Sequence, residues 1–228
     1  QQAKLYADCL EAMFGRRPVI FYTNGYEHWL WDDAGGYPPR EVQGFYTRGE
    51  LELLIQRRHG RKSLADAVID STIAGRHYQQ HAIRAVDDAF TAKGRQALLV
   101  MATGSGKTRT VIALVKQLME AGWVTRVLFL ADRTALVKRA VHAFKEHLPD
   151  ATTVNLVTEK IADGRVYAST YPTMMNLIND TITGKAPFGP GYLDLGVIDF
   201  SSRLHAVRHV RQHGQLRLCR TPRRYCSR

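Results

Sequence analysis

The 228-residue sequence predicts an α/β chain built on a parallel sheet. Three observations carry that reading. From residue 97 onward, short apolar runs alternate with segments of helical length and amphipathic spacing. The apolar runs lack polar alternation, which suits strands buried on both faces and joined through crossover helices. One strand-to-helix junction holds Ala102-Thr103-Gly104-Ser105-Gly106-Lys107-Thr108, a glycine turn of the kind that opens a phosphate-binding helix.

The elements follow in chain order. Residues 4–14 place Leu5, Leu10, Met13 and Phe14 at near-helical spacing, and Gly15 stops the helix. Residues 19–22 and 26–31 flank Asn24-Gly25 and read as a hairpin closed by a type I′ turn. Residues 35–39, Gly-Gly-Tyr-Pro-Pro, suit neither strand nor helix and read as a linker. Residues 47–58 predict a short helix with Leu51, Leu54 and Ile55 inward, followed by a solvated basic connector from Arg57 to Lys62. Residues 76–93 predict a longer helix with Tyr78, Ala82, Ile83, Val86 and Phe90 on one side. Strands at 97–101, 126–131, 165–169 and 195–199 then alternate with helices at 108–121, 135–147 and 172–179. No internal repeat is visible.

Composition removes several function classes. No run of eighteen apolar residues exists, so a transmembrane helix is not expected. The first residues, Gln-Gln-Ala-Lys-Leu-Tyr, lack a secretory leader's basic start and apolar run. Because it does not start with Met, the sequence reads as a segment of something longer. Cys9, Cys219 and Cys226 offer neither a disulfide framework nor metal-ligand spacing, and a reducing, cytoplasmic setting is expected. The net charge of +11 points towards nucleic acid only until it is located. Residues 201–228 hold eight Arg and no Lys, Asp or Glu, leaving 24 basic against 21 acidic groups in the other 200 residues.

The glycine turn is the most informative stretch. Gly104 and Gly106 let backbone N–H groups converge without Cβ interference, and the helix that follows adds its positive end. Thr103, Gly104, Ser105, Gly106, Lys107 and Thr108 are therefore the expected ATP-binding residues. Lys107 would reach the β- and γ-phosphates and Thr108 would ligate Mg²⁺. Met101 stands where the full GxxxxGK[ST] pattern has its first Gly. Upstream, a Gln amide in Tyr78-Gln79-Gln80 can donate and accept at once and so read an adenine edge. His77 and His81, four residues apart, lack a third ligand and read as a surface pair.

These motifs together resemble the restriction (R) subunit of type I restriction-modification enzymes. TGSGKT is the helicase form of the phosphate loop, and a Gln at this distance upstream is a feature of superfamily two helicases, which makes Gln79 the favoured adenine reader. Val127-Leu128-Phe129-Leu130-Ala131-Asp132-Arg133-Thr134-Ala135-Leu136-Val137 resembles the family's motif Ia, and residues 166–174 resemble its later strand-end motif. Residues 19–25 and Gly44-Phe45-Tyr46 resemble the connection between nuclease and motor. Gln2-Ala3-Lys4-Leu5-Tyr6 matches the Q-x-x-x-Y pattern of RecB-type nucleases, with Gln2 and Tyr6 on one helix face.

The resemblance implies the following organisation. Residues 1–35 would be the C-terminal remnant of a restriction-endonuclease-like domain, and 36–70 a linker with a connecting helix. Residues 71–200 would be an incomplete first RecA-like P-loop NTPase lobe, and 201–228 an Arg-rich tail without regular structure. The tail reads as the product of a reading-frame change after Asp199, or as a basic nucleic-acid arm. The implied cofactors are ATP and Mg²⁺. The implied partners are double-stranded DNA and the modification and specificity subunits, with no membrane. Arg133, Ser169 and Thr170 would touch DNA phosphates. The alternatives are an ion pair of Arg133 with Asp132, and capping of the next helix by Ser169-Thr170.

Two departures from the family pattern bear on activity. Asp199 matches the Mg²⁺-supporting Asp of the Asp-Glu-Ala-His motif, but Phe200 stands where the water-polarising Glu belongs. The nuclease carboxylates and Lys would precede Gln1. The implied parent activity is ATP-dependent DNA translocation and cleavage, with hydrolysis and cleavage lost in this chain. The competing readings are a stand-alone P-loop nucleotide-binding module and an inert remnant.

Overall fold

The structure is a computed structural model and describes residues 2–102, 104–159, 163–179, 188–200 and 214–219. It separates into two compact units, Gln1–Gly60 with Gly189–Gly191, and Arg61–Phe188 with Tyr192–Arg228. The division after Gly60 places residues 36–60, read from the sequence as linker, in the first unit.

The first unit holds helix α1 (Gln2–Phe14), the antiparallel strands β1 (Ile20–Thr23), β2 (His28–Trp31) and β3 (Arg40–Val42), and helix α2 (Arg48–Gly60). The hairpin forms, but not with a two-residue turn. Thr23 pairs with His28, so four residues close the loop. Asn24 has no positive φ, and its side-chain oxygen accepts the Tyr26 and Glu27 N–H groups instead. That local bond supplies what the type I′ backbone would have supplied.

Helix α2 begins with a reciprocal cap. Thr47 N–H donates to Glu50 Oε2 at 2.8 Å, and Glu50 N–H reaches Thr47 Oγ1 at 3.4 Å. Glu50 is buried, while Leu51 and Leu54 are half-buried and Ile55 is exposed, which corrects the inward face read from the sequence. Arg58 is likewise not part of a solvated connector. It pairs with Asp32 at 2.8 Å and donates to the Arg17 carbonyl. Arg17 in turn binds Asp33, Asp8 and Glu11, and its guanidinium holds the Asp33 carboxyl below the usual carboxylate range.

The second unit is the α/β body. Its sheet has the order β4-β9-β8-β5-β7-β6, and each adjacent pair is parallel. The strands are β4 (Gln96–Val100), β5 (Val127–Ala131), β6 (Thr153–Asn155), β7 (Val166–Thr170), β8 (Leu195–Phe200) and β9 (Gly214–Cys219). The helices are α3 (His77–Thr91), α4 (Lys107–Glu120), α5 (Thr134–His147) and α6 (Tyr171–Asn179). The expected strand-and-helix alternation is present, with limits shifted by one or two residues.

Strand alternation divides the core into two layers. Val127, Phe129, Ala131, Val166, Ala168, Leu195 and Val197 pack with α3, α4 and α5 on one face. Leu128, Leu130, Tyr167 and Ile198 face the other way, against Met174 of α6 and Tyr192. Burial pushes the Tyr167 phenol up to about 12, and its hydroxyl bonds that of Tyr192 at 2.8 Å. The central strands are thus buried on both faces, as their composition requires.

Two expectations are corrected here. Strand β4 is not buried on both faces, since Leu98 and Val100 are exposed. No described element covers that side of β4. The tail is not wholly irregular, because residues 214–219 form β9 between β4 and β8. The short alternation Gln215-Leu216-Arg217-Leu218 is the signal, hidden in the sequence by the surrounding Arg.

One ion pair ties the segment ahead of α3 to α4. Lys116 Nζ lies 2.6 Å from Asp70 Oδ2, and Asp70 also accepts from Thr72. These bonds hold the Asp70 carboxyl below its ordinary value. A depressed folded-state pKa stabilises the fold above the unfolded value of about 3.9 and is lost as pH falls through the folded one. Asp70→Asn is therefore expected to lower stability at neutral pH, with the difference from the parent shrinking in acid. Urea unfolding across that range checks this; a constant difference would refute the assignment.

Candidate functional site

Parallel register brings the strand ends together at one edge of the sheet. Leu99 pairs with Leu218, Leu218 with Asp199, Asp199 with Ala131, and Ala131 with Thr170. Asp199, Thr170, the Asp132-Arg133 turn and the loop after β4 therefore emerge along one carboxyl edge, the edge at which open α/β sheets bind ligands.

The loop is built from backbone geometry that only glycine accepts comfortably. Gly104 has φ 79° and Gly106 φ 82°. A Cβ on Gly104 would meet nothing within 4 Å, so that side of the turn is open. Gly106 is the N-cap of α4, which no side chain caps. Lys107 Nζ donates to the carbonyls of Met101 at 3.0 Å and Ala102 at 2.7 Å, folding its ammonium across the turn. Ser105 Oγ donates to the Ala102 carbonyl at 2.7 Å. Thr108 lies in the first turn of α4, and Thr103 lies outside the described residues.

Helix α3 grips this loop from outside. Gln79 is 3% exposed, and its Nε2 donates to the Ser105 carbonyl at 3.1 Å. Its Oε1 accepts from Arg76 N–H at 3.2 Å, capping α3. The amide proposed to read adenine is thus already engaged at both ends by the chain. Gln80, the neighbouring candidate, turns to the Ala74 carbonyl instead.

Tyr78 and Arg76 are parts of the site that sequence reasoning missed. The Tyr78 hydroxyl donates to the Ser105 carbonyl at 2.9 Å and accepts from Arg76 at 2.8 Å. Tyr78 is half-exposed and does not belong to the buried face of α3. Its position next to Gln79 was the available signal.

The close fit has a consequence. A Cβ on Gly106 would fall 2.5 Å from Gln79 Nε2. Gly106→Ala is expected to displace Gln79 from Ser105 and to cost about 1–2 kcal/mol through the left-handed backbone alone. Thermal unfolding of the variant measures this; unchanged stability would refute the packing.

The remaining sequence candidates divide. Arg133 is exposed, and its Nε lies 3.9 Å from Asp132 Oδ2, the loose ion pair foreseen as the alternative. Thr170 Oγ1 meets Thr173 Oγ1 at 2.9 Å at the start of α6, a bond between two side chains. Ser169 is fully buried and its hydroxyl donates to the Thr170 carbonyl, so its side chain has no surface to present to a phosphate. That corrects its assignment as a DNA contact. Asp199 stands near the end of β8, and the side chain of Phe200 lies outside the described residues. In the first unit, Gln2 Nε2 reaches the Tyr6 hydroxyl at 3.4 Å on the exposed surface of α1. Leu5, Leu10, Met13 and Phe14 are exposed as well, and Ala7 is the buried residue of α1.

The rings of His77 and His81 lie 4.2 Å apart between centroids, tilted by 42°. Among the described residues, no three His, Cys, Asp or Glu side chains could together hold a metal ion, and no helix is long and apolar enough to cross a membrane.

Comparison with known proteins agrees with the sequence resemblance. The family model described as "Type III restriction enzyme, res subunit" (ResIII) matches residues 72–211. The type I restriction enzyme EcoKI endonuclease subunit of Escherichia coli K12 is 31% identical over 154 residues, covering 64% of this chain and 13% of that protein. The EcoAI endonuclease subunit of Escherichia coli is 32% identical over 156 residues, covering 68% and 18%. The chain thus spans less than a fifth of the length of these curated relatives.

Among solved structures, a fragment of an HsdR subunit from Vibrio vulnificus YJ016, itself described as putative, aligns over 98% of this chain and 40% of that one. Its identity is 25% and its TM-score 0.45. The SWI2/SNF2 ATPase core of Sulfolobus solfataricus aligns over 64% and 32%, with 18% identity and a TM-score of 0.49. On the family match, which covers more than half of its length, the chain belongs to the ResIII family, and its curated relatives place it with the R subunits of type I restriction enzymes.

Proposed function

We propose that this chain carries the ATP–Mg²⁺ site of a type I restriction motor. The observation that carries the reading is the doubly held loop. Two left-handed glycines shape it, Lys107 lies across it, and Gln79 and Tyr78 fasten Ser105 from α3. A polyphosphate suits this donor set: an ammonium, an uncapped helix N-terminus and an open turn. Lys107 would exchange its carbonyl partners for β- and γ-phosphate oxygens. Thr108 and Asp199 would hold Mg²⁺, which supplies charge neutralisation at the phosphates. Gln79 would keep the adenine-reading role only by giving up its bond to the Arg76 N–H or to the Ser105 carbonyl, and the second exchange would pass to the loop.

Hydrolysis is proposed to be slow. Phenylalanine at 200 cannot orient a water, and losing such a group typically costs about 10²–10⁴ in rate. The parent protein is proposed to pull double-stranded DNA in company with modification and specificity subunits. Arg133 and Thr170 are the strand-end groups retained as phosphate contacts, which would position DNA without reading its sequence. Gln2 and Tyr6 are retained as a remnant of the nuclease motif, and residues 1–35 as the remnant of that domain.

Titration of the chain with a non-hydrolysable ATP analogue and Mg²⁺ is the direct test, with saturable binding expected. Absence of binding at any accessible concentration would overturn the reading. For DNA, Arg133→Ala is expected to weaken duplex binding evenly across sequences and to reduce the logarithmic salt slope by about 0.9. An unchanged slope would remove Arg133 from the contact set.

A further inference from the structure

Helices α3 and α4 enclose a polar pair within the core. Asp87 and Gln117 are each 2% exposed. Gln117 Nε2 donates to Asp87 Oδ2 at 2.8 Å. Each residue also has a second buried oxygen, and neither Asp87 Oδ1 nor Gln117 Oε1 meets a donor among the described residues. An ionised carboxylate cannot relieve this, because it and the amide carbonyl only accept. One proton on Oδ1 relieves both, since Oδ1–H can donate to Oε1 while Oδ2 continues to accept from Nε2. We propose that Asp87 stays protonated in the folded chain at pH values where exposed carboxylates have ionised, and closes a two-bond acid–amide ring with Gln117. The ring clamps the helix that carries Gln79 to the helix that begins at Lys107.

The surrounding charges are accounted for. On α3, Arg84 Nη1 lies 3.4 Å from Oδ2 and favours the ion, while Asp88 opposes it. Arg84 is shared among three carbonyls, those of Leu64 at 2.9 Å, Ala65 at 3.4 Å and Ala67 at 2.8 Å. On α4, the neighbouring Lys116 is committed to Asp70. Burial is the largest influence and pushes the Asp87 carboxyl up to about 6 against Gln117 and Arg84. A bond donated from Oδ1–H exists only in the neutral form and acts in the same direction.

A carboxyl with a raised folded-state pKa binds its proton more tightly when folded, so it favours folding at low pH and loses that contribution as pH rises. Across the full titration, from well below an unfolded value of about 3.9 to well above a folded value near 6, the folded-to-unfolded ratio falls by on the order of 100-fold. Asp87→Asn mimics the neutral acid: its amide donates to Gln117 Oε1 and accepts from Nε2.

The experiment is urea unfolding of the full chain as parent, Asp87→Asn and Asp87→Ala from about pH 4.5 to 8, with infrared spectra at about pH 5.5. Asp87→Asn is expected to match or exceed the parent at the alkaline end and to lose the parent's decline, roughly 25-fold over this window. Asp87→Ala is expected to be weaker throughout. The parent should show a protonated-carboxyl band that Asp87→Asn lacks. Equal weakness of Asp87→Asn and Asp87→Ala, or spectra in which the two bands do not differ, overturns the proposal. If Asp87→Ala does not fold, the Asn variant and the band decide by themselves. None of these readouts involves nucleotide, so the outcome is independent of the proposed ATP site.

Discussion

Lys107→Ala is expected to lower affinity for an ATP analogue by on the order of 10–100-fold, the range for losing a hydrogen bond to a charged group in a partly enclosed site. The fold should persist. Lys107 is half-buried at the turn, and the carbonyls to which it donates, those of Met101 and Ala102, follow the end of β4, where water can replace the ammonium. Equilibrium binding with and without Mg²⁺ reads the effect, and unfolding in parallel shows whether the variant is intact. An unchanged affinity in a folded variant would mean that phosphates do not rest on this turn.

The second large effect lies in the core. Phe144 of α5 is fully buried and meets Phe129 of β5 edge-on, with ring centroids 5.9 Å apart. It fastens α5 to the strand leading into the Asp132-Arg133 turn. Phe144→Ala removes this packing and opens a cavity beneath a helix that cannot collapse onto the sheet without dragging its neighbours. A loss of about 3–5 kcal/mol is expected. Denaturant unfolding measures it, and a cost below about 1 kcal/mol would show that α5 is not packed as described.

The α/β body was legible because its signals are local and repeated. Apolar strands such as Val127–Ala131 can only be central, and the helices between them have one apolar side. The glycine loop was legible for the same reason: two glycines, a Lys and a Thr in one turn define a backbone shape with little help from elsewhere. Local reading failed where a side chain had two plausible environments. Tyr78 counted as apolar by type, yet its hydroxyl is what meets Ser105. Arg58 looked like part of a solvated basic run, yet Asp32 and the Arg17 carbonyl take it in. The apolar residues of α1 have helical spacing, but helical spacing does not say whether anything packs against them.

By itself, then, the sequence determined the class of fold, the order of the helices and central strands, the glycine turn and the family resemblance, because periodicity, glycine geometry and motif spacing are properties of neighbouring residues. Tertiary structure alone decided that Gln79 and Tyr78 converge on one carbonyl, that Ser169 is sealed from solvent, and that Asp87 faces Gln117 from thirty residues away. Those facts depend on which helix faces abut and which oxygens are left without donors, and such pairings exist only once distant segments are brought into contact.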